Sequence, residues 1–306
     1  MNHYGKQQSE SARRIIVGID GSDHAVRAAV WAASLAQRRG GILHLVHAFR
    51  TPEALPLLGA ARRDEYTRIR TEQGEAFLDA AGREVLARYP RTWVTGEVVE
   101  GDPARMLGAL SYSAECVVAG SRGRGGFAGL LLGSVSLRLA AHSYCPAVFV
   151  PDVPDVAPAA GAMGELVLAV EPDEPDTVLE FAFQAAEDLG VNMRMVHAWE
   201  PIPLRDGYYL IEPALLEAEA QTVLRDALKR APEERFPAVE VTATPVRGNP
   251  PQALIAAAHG APLLVIGAHR ARTPMSIGVG SVVHALLSHA PCPVAVVPAA
   301  MLHPAT

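Results

Sequence analysis

Along residues 14–151 the chain alternates short apolar, β-branched runs with longer amphipathic stretches. Residues 14–20 (RIIVGID) read as a strand closed by an Asp-Gly turn. Residues 24–41 (HAVRAAVWAASLAQRRGG) space their apolar positions at three and four and end in Gly40-Gly41, the pattern of a helix and its C-cap. A strand follows over 42–49, a long amphipathic helix over 65–89 and a third strand over 93–100. A helix over 104–114, a strand over 115–120, a helix over 134–143 and a strand over 147–151 complete the unit. Alternating β and α elements predict a parallel sheet with helices on both faces. Such a sheet takes its ligand beyond the carboxyl ends of its strands, where strand order reverses. Strands 1 and 4 end at Asp20 and Gly120, which flank that crevice if strand 1 is central.

The pattern then repeats. At a period of 147 residues, Gly133-Ser134-Val135 falls on Gly280-Ser281-Val282, Cys145-Pro146 on Cys292-Pro293 and Pro151 on Pro298. Gly120 falls on Gly267, and LVHAF (45–49) matches MVHAW (195–199) at an offset of 150, so the front halves differ by a few insertions. A tandem duplication is the expectation. It gives a disordered tail over 1–13, a domain over 14–151, a proline-rich linker over 152–164, a second domain over 165–299 and a tail over 300–306.

A length of 306 residues suits two domains of about 150 each. No run approaches the ~18 uncharged apolar residues of a membrane helix, and the polar start MNHYGKQQSESARR lacks a signal-peptide core. The expectation is a cytoplasmic protein without a membrane. Three widely spaced cysteines, Cys116, Cys145 and Cys292, form neither a disulfide framework nor a zinc set and read as small buried residues. The net charge of −6 argues against nucleic acid as a partner. That charge is uneven: residues 1–150 carry 18 Lys+Arg against 14 Asp+Glu, and the remainder 9 against 19. Either the surface drifts in composition, or only the first half must hold an anion.

Residues 120–136 (GSRGRGGFAGLLLGSVS) sharpen the choice. Their spacing is Gly120-x2-Gly123-x9-Gly133-Ser134, running from a strand into a helix. Backbone N–H groups and the helix dipole at such a start favour phosphate. Gly133 would let backbone approach the anion, and Ser134 and Ser136 would offer hydroxyls. Gly120 and Gly123 would use φ > 0, and Arg122 and Arg124 would reach phosphate oxygens. The plainer alternative is a tight turn, with Ser134 as an N-cap, solvated arginines and Asp20 capping the next helix. The pattern is neither a Walker A loop nor the dinucleotide fingerprint, which belongs in the first βα turn.

VGIDGS (17–22), LVHAF (45–49), the glycine pattern (120–134) and CPAVFVP (145–151) together resemble the universal stress protein family, and the whole chain resembles its tandem form. The resemblance implies two Rossmann-like (adenine nucleotide alpha hydrolase-like) α/β domains, each with a five-stranded parallel sheet. It also implies ATP, with or without Mg²⁺, as ligand of the first domain, and a role in stress response. By that similarity Ile19 and Asp20 meet the adenosine end, and Ala48 and Ala119 pack beside adenine. Gly120, Arg122, Gly123, Gly133, Ser134, Val135 and Ser136 surround ribose and phosphates.

The second copy departs from this pattern. Glu171 replaces Asp20, Pro172 replaces Gly21 and Arg270 replaces Gly123, while Pro274 stiffens the loop. Glu171 is expected to crowd the pocket, leaving at most a weak second site at Gly267, Gly280, Ser281 and Val282. The opposing possibility is that Arg270 or Arg272 turns inward and substitutes a charge.

Other candidates carry less. His44 and His47 point to opposite faces of a strand and cannot share a metal. His142 and His289 sit near helix ends, where terminal carbonyls attract them. Ser113 and Asp102 lack a histidine partner, so no hydrolase triad is supported. Residues 50–65 serve as a lid or a plain crossover. The expected protein is an ATP-binding regulatory module and not an enzyme. The rivals are a slow ATPase or nucleotidyl-transferring protein holding Mg²⁺ on Asp20, and a nucleotide-free scaffold. The closing strands at 147–150 and 295–297 would pair either between two chains, as a homodimer, or within one, as a pseudo-dimer.

Overall fold

The computed structural model describes residues 13–55, 59–123, 132–152, 164–204, 208–268 and 279–300. Residues 1–12 and 301–306 of the expected tails and most of the expected linker lie outside the described residues, as do Arg124, Arg270, Arg272 and Pro274.

The first half contains β1 (Arg14–Gly18), α1 (Asp23–Arg39), β2 (Ile42–Phe49), α2 (Ala60–Arg88) and β3 (Trp93–Glu100). It continues with α3 (Pro103–Leu110), β4 (Cys116–Gly120), α4 (Ser134–His142) and β5 (Ala147–Val150). The second half repeats the order as β6 (Leu166–Ala169), α5 (Asp176–Leu189), β7 (Met193–Trp199), α6 (Pro213–Arg230) and β8 (Val241–Arg247). It closes with α7 (Pro250–Ala257), β9 (Leu264–Ala268), α8 (Ser281–His289) and β10 (Val294–Pro298). Each half is a Rossmann-like α/β unit.

Helix α2 begins five residues before its apolar rhythm does. Gly59, at φ +96°, breaks the chain just ahead of Ala60. The first turns (Arg62, Arg63, Asp64) are exposed and therefore carry no periodic signal. The expected lid or crossover at 50–65 is thus partly helix.

The strands run β3-β2-β1-β4-β5-β10-β9-β6-β7-β8 in one ten-stranded sheet. Pairing is parallel within each half, so β1 is central and strand order reverses between β1 and β4. The two halves meet where β5 and β10 pair antiparallel, with Phe149 opposite Val294 and Ala147 opposite Val296. These edges are therefore used within the chain, and a homodimer cannot form through them. Strand alternation sends Ile15, Val17, Leu43 and Leu45 to one face, against α1 and α2, and Ile16, Val46 and Val117 to the other, against α3 and α4. Both core clusters continue across the seam into the second half.

One ion cluster also spans the halves. The Arg39 side chain is 3% exposed. It donates from Nη1 to Glu115 Oε1 (2.5 Å) and from Nε to Asp188 Oδ2 (2.6 Å). Burial alone would disfavour its charge, but Asp188 and Glu115 outweigh that and raise its pKa. Arg38 donates to the Asp188 carbonyl (2.6 Å). The cysteines are all buried thiols. Burial pushes Cys145 and Cys292 up to about 12 and Cys116 higher, so none is poised as a thiolate at neutral pH.

Candidate functional site

The β1–α1 turn is built on Gly21 and Ser22. Gly21 sits at φ +81°, and a Cβ there would lie 2.6 Å from the Phe77 ring. Ser22 caps α1, its Oγ accepting from Ala25 N (3.2 Å). Asp20 does not cap the helix directly. Its Oδ1 accepts from Ser22 N (3.0 Å) and Ser22 Oγ (2.6 Å), so it holds the cap in place from one step back.

Beyond β4 the chain is arranged by close approach rather than by left-handed backbone. Neither Gly120 nor Gly123 has positive φ, contrary to the sequence expectation. A Cβ on Gly123 would lie 2.6 Å from Asp20 Oδ2, and one on Gly120 would lie 3.1 Å from His24 Cβ. A side chain at 123 would therefore have to displace the Asp20 carboxylate. Two motifs far apart along the chain, one in the first βα turn and one after β4, thus share one contact.

Helix α4 opens at Gly133, which has extended backbone (φ −76°, ψ 145°) and supplies no capping side chain. By contrast Ser22 caps α1 and Asp102 caps α3, the latter accepting from Arg105 N (2.9 Å). Ser136, buried on the first turn of α4, donates its hydroxyl hydrogen to the Gly120 carbonyl (2.9 Å). That bond ties the end of β4 to the helix start. Ser136 therefore shapes the site, with its hydrogen committed to backbone rather than aimed at a phosphate.

These elements enclose a cavity of about 380 Å³, within the size range of small-molecule sites. All eleven first-half residues that the family resemblance assigns to the ligand line it, Arg124 lying outside the described residues. Ile19, Asp20 and Ala48 come from the ends of β1 and β2, and Ala119, Gly120, Arg122 and Gly123 from the end of β4. Gly133, Ser134, Val135 and Ser136 form the α4 entrance. The sequence reading missed Gly18, Ala25, Val46, Pro103, Leu107 and Leu132, which also line the cavity. Val46 and Leu107 belong to the core cluster on that face, so only the packing of α3 on the sheet could reveal them. The walls are apolar toward α3, while the uncapped helix start and Arg122 supply the positive features. Asp20 is the one carboxylate among the described lining residues. The described residues contain no group of three or more His, Cys, Asp or Glu able to hold a metal ion.

The second half is built differently at the matching turn. Proline has φ fixed near −65° and cannot reproduce the conformation of Gly21. Pro172 stands there, and Asp173 takes φ +58° instead. The result overturns the expectation for Glu171, which is exposed and does not crowd a pocket. Glu174 is the residue driven inward. It is fully buried, and its Oε2 accepts from Glu171 N (2.8 Å). Its Oε1 has no hydrogen-bond partner among the described residues. Burial, reinforced by Glu171, pushes its carboxyl up to about 7 against the hydrogen bond from Glu171 N and the pull of Arg230. Gly267 is the penultimate residue of β9, while Gly280, Ser281 and Val282 form the start of α8, which again has no capping side chain. A Cβ on Gly280 would meet nothing within 4 Å, and Val283 occupies the repeat position of Ser136. The hydroxyl that ties strand to helix in the first half therefore has no counterpart at that position.

The doubly wound parallel strands, the strand-order reversal and the helix entrance beside it define a Rossmann-like α/β architecture, present twice. The model of the universal stress protein family matches residues 11–151 and again 163–298, and the chain belongs to that family in its tandem form. It is 32% identical over 290 residues to universal stress protein Rv2623 of Mycobacterium tuberculosis, covering 94% of this chain and 96% of that one. Universal stress protein Rv1996 of the same organism is 30% identical, with 92% and 94% covered. Among solved structures, a universal stress protein from Archaeoglobus fulgidus superposes with a TM-score of 0.66 at 19% identity, covering 94% of this chain and 99% of that one.

Proposed function

We propose that the first half binds ATP in the cavity between β1, β4 and the start of α4, and that the protein acts as a regulatory stress-response module without catalysing a reaction. The observation that carries this reading is the convergence of two distant motifs on one cavity, down to the contact between Asp20 and Gly123. Adenine would pack against the Val46, Ala48, Leu107 and Ala119 wall. Asp20 would accept from a ribose hydroxyl, since a carboxylate is an acceptor at neutral pH. The phosphates would lie at the N–H groups of α4, with Arg122 beside them. Asp20 fits a Mg²⁺ ion poorly as a lone carboxylate, because hard cations are usually held by carboxylates together with substrate phosphates. Any such ion would rest mainly on the nucleotide. No lining histidine or second carboxylate is available among the described residues as a general base, which favours a binder over an ATPase.

The mechanism would be linkage: ATP shifts the chain toward whichever arrangement it binds better. In the second half the displaced turn and the missing Ser136 hydroxyl favour a weak or absent site. Calorimetric titration of the full chain with ATP is expected to give a stoichiometry near one. Two equivalent tight sites would overturn the asymmetry. Failure to bind ATP, AMP or a cyclic nucleotide at millimolar concentration would overturn the whole reading.

A further inference from the structure

Between β7 and α6 a short two-stranded ladder turns an apolar face to solvent. Pro203 and Tyr209 face each other as an antiparallel bridge. The flanking hydrogen bonds run from Leu204 N to Tyr208 O (2.7 Å) and from Leu210 N to Ile202 O (2.9 Å). Ile202 therefore stands opposite Leu210 and Leu204 opposite Tyr208, and strand alternation places these four residues on one face. Pro203 and Tyr209 belong to the other face, where the Tyr209 hydroxyl lies 3.4 Å from Arg247 Nη2. Arg247 in turn stands over the Trp199 ring at 5.8 Å. The four residues of the first face are 51–72% exposed, Tyr208 the most. At ~200 Å² for a fully exposed side chain of this size, they present roughly 500 Å².

An apolar patch of that size sits at the upper end of what monomers leave uncovered, and such patches commonly mark a docking site. It falls short of the ~800 Å² per partner of a stable interface, so its occupant binds reversibly rather than permanently. The charge around it narrows the chemistry. Glu200 precedes the ladder, and Glu212, Glu217 and Glu219 follow it into the first turns of α6, all exposed. None of the four forms an ion pair among the described residues, whereas Asp226 further along α6 and Asp176 on α5 do. Arg205 and Asp206, between the two strands in sequence, cancel. An anionic lipid surface, or a second copy of this acidic face, would bring like charge to those carboxylates. We propose that this face docks a basic amphipathic helix of another protein. The apolar stripe of that helix would lie on Ile202, Leu204, Tyr208 and Leu210, with its lysines or arginines toward the four glutamates. The spacing suits a helix: ranks two residues apart on a strand are separated by about 6.6 Å, close to the ~6 Å rise between i and i+4. A stripe at i, i+3, i+4 and i+7 therefore meets both ranks.

Fluorescence anisotropy tests this without any nucleotide: the full chain is titrated against a labelled helical peptide with leucine at i, i+3, i+4 and i+7 and lysine elsewhere. The expected result is a single saturable site that weakens as salt rises. A counterpart peptide with glutamate in place of lysine should bind at least about tenfold more weakly. The double substitution Tyr208→Ser/Leu210→Ser should cost at least about tenfold at any salt. Glu212→Lys/Glu219→Lys should cost a similar factor at low salt and less at high salt. Tyr112→Ser, at an exposed ring elsewhere, should change nothing. Hydrogen exchange with the lysine peptide bound should show protection at 208–219 and none around the first-half cavity. The proposal is overturned if the lysine peptide does not bind, whether or not this face gathers anionic vesicles or a second copy instead. It is equally overturned if the two peptides bind alike, or if the substitutions at Tyr208 and Leu210 leave the affinity unchanged.

Discussion

Gly123→Ala is the sharpest probe of how the first-half site is assembled. The new Cβ would stand 2.6 Å from Asp20 Oδ2, whereas ordinary contact begins near 3.4 Å, so the carboxylate must withdraw by about 0.8 Å. Asp20 cannot move that far while keeping both hydrogen bonds from Ser22, at 3.0 and 2.6 Å. Hydrogen bonds to a charged group are worth about 1.5–3 kcal/mol each. Losing one, together with the carboxylate's position in the cavity, should weaken ATP binding by about 10- to 100-fold, or ~1.4–2.8 kcal/mol. Titration calorimetry on a double-mutant cycle isolates the contact. Asp20→Ala alone should cost a similar amount, and adding Gly123→Ala to it should cost almost nothing more, because the clash partner is gone. Gly280→Ala, where a Cβ meets nothing within 4 Å, serves as the neutral control. The reasoning is refuted if Gly123→Ala keeps full affinity, or if it costs as much with Asp20 absent as with it present.

Two further outcomes follow from buried charge. Glu174 has a folded-state pKa of about 7, above its ordinary 4.5, so between those values the folded chain holds a proton that the unfolded chain has released. Stability should therefore fall as pH rises from about 4.5 to 7, by at most ~3 kcal/mol. Thermal melts against pH should lose that slope in Glu174→Gln, which should gain most at pH 8; an unchanged slope would show that the carboxyl is not the cause. Arg39→Met should leave Glu115 and Asp188 facing each other without their cation and cost about 3–5 kcal/mol. Denaturant titration should show the loss, and a change under ~1 kcal/mol would show that the cluster does not hold the seam.

Period and spacing alone made most of the architecture legible. Strands 42–49 and 93–100 coincide with β2 and β3: β2, covered by helices, leaves a largely apolar run, whereas β3, at the sheet edge with no buried residue, was marked by its β-branched residues. The cavity was legible for a different reason: the glycine spacing after strand 4 and the Asp20-Gly21 turn stood out as sequence, while Ile19, Ala48 and Ala119, two of them core residues, were reached only through resemblance to the universal stress protein family. Three features stayed hidden. An edge strand carries the same sequence whether it pairs within a chain or between chains, so β5 and β10 gave no sign of which. Proline at 172 announced a different turn, but not that Glu174 rather than Glu171 would be buried. Alternation at 202–210 is too short, and too broken by Arg205, Asp206 and Gly207, to separate the Pro203–Tyr209 bridge from an ordinary loop.

The antiparallel seam has a directional consequence. Strands of the first half point their carboxyl ends one way along the sheet, and those of the second half point theirs the other. Whatever grows from the ends of β1 and β4 therefore faces away from whatever grows from the end of β7. The first-half cavity and the segment after β7, with its exposed Tyr208 and Leu210, therefore lie at opposite edges of one sheet.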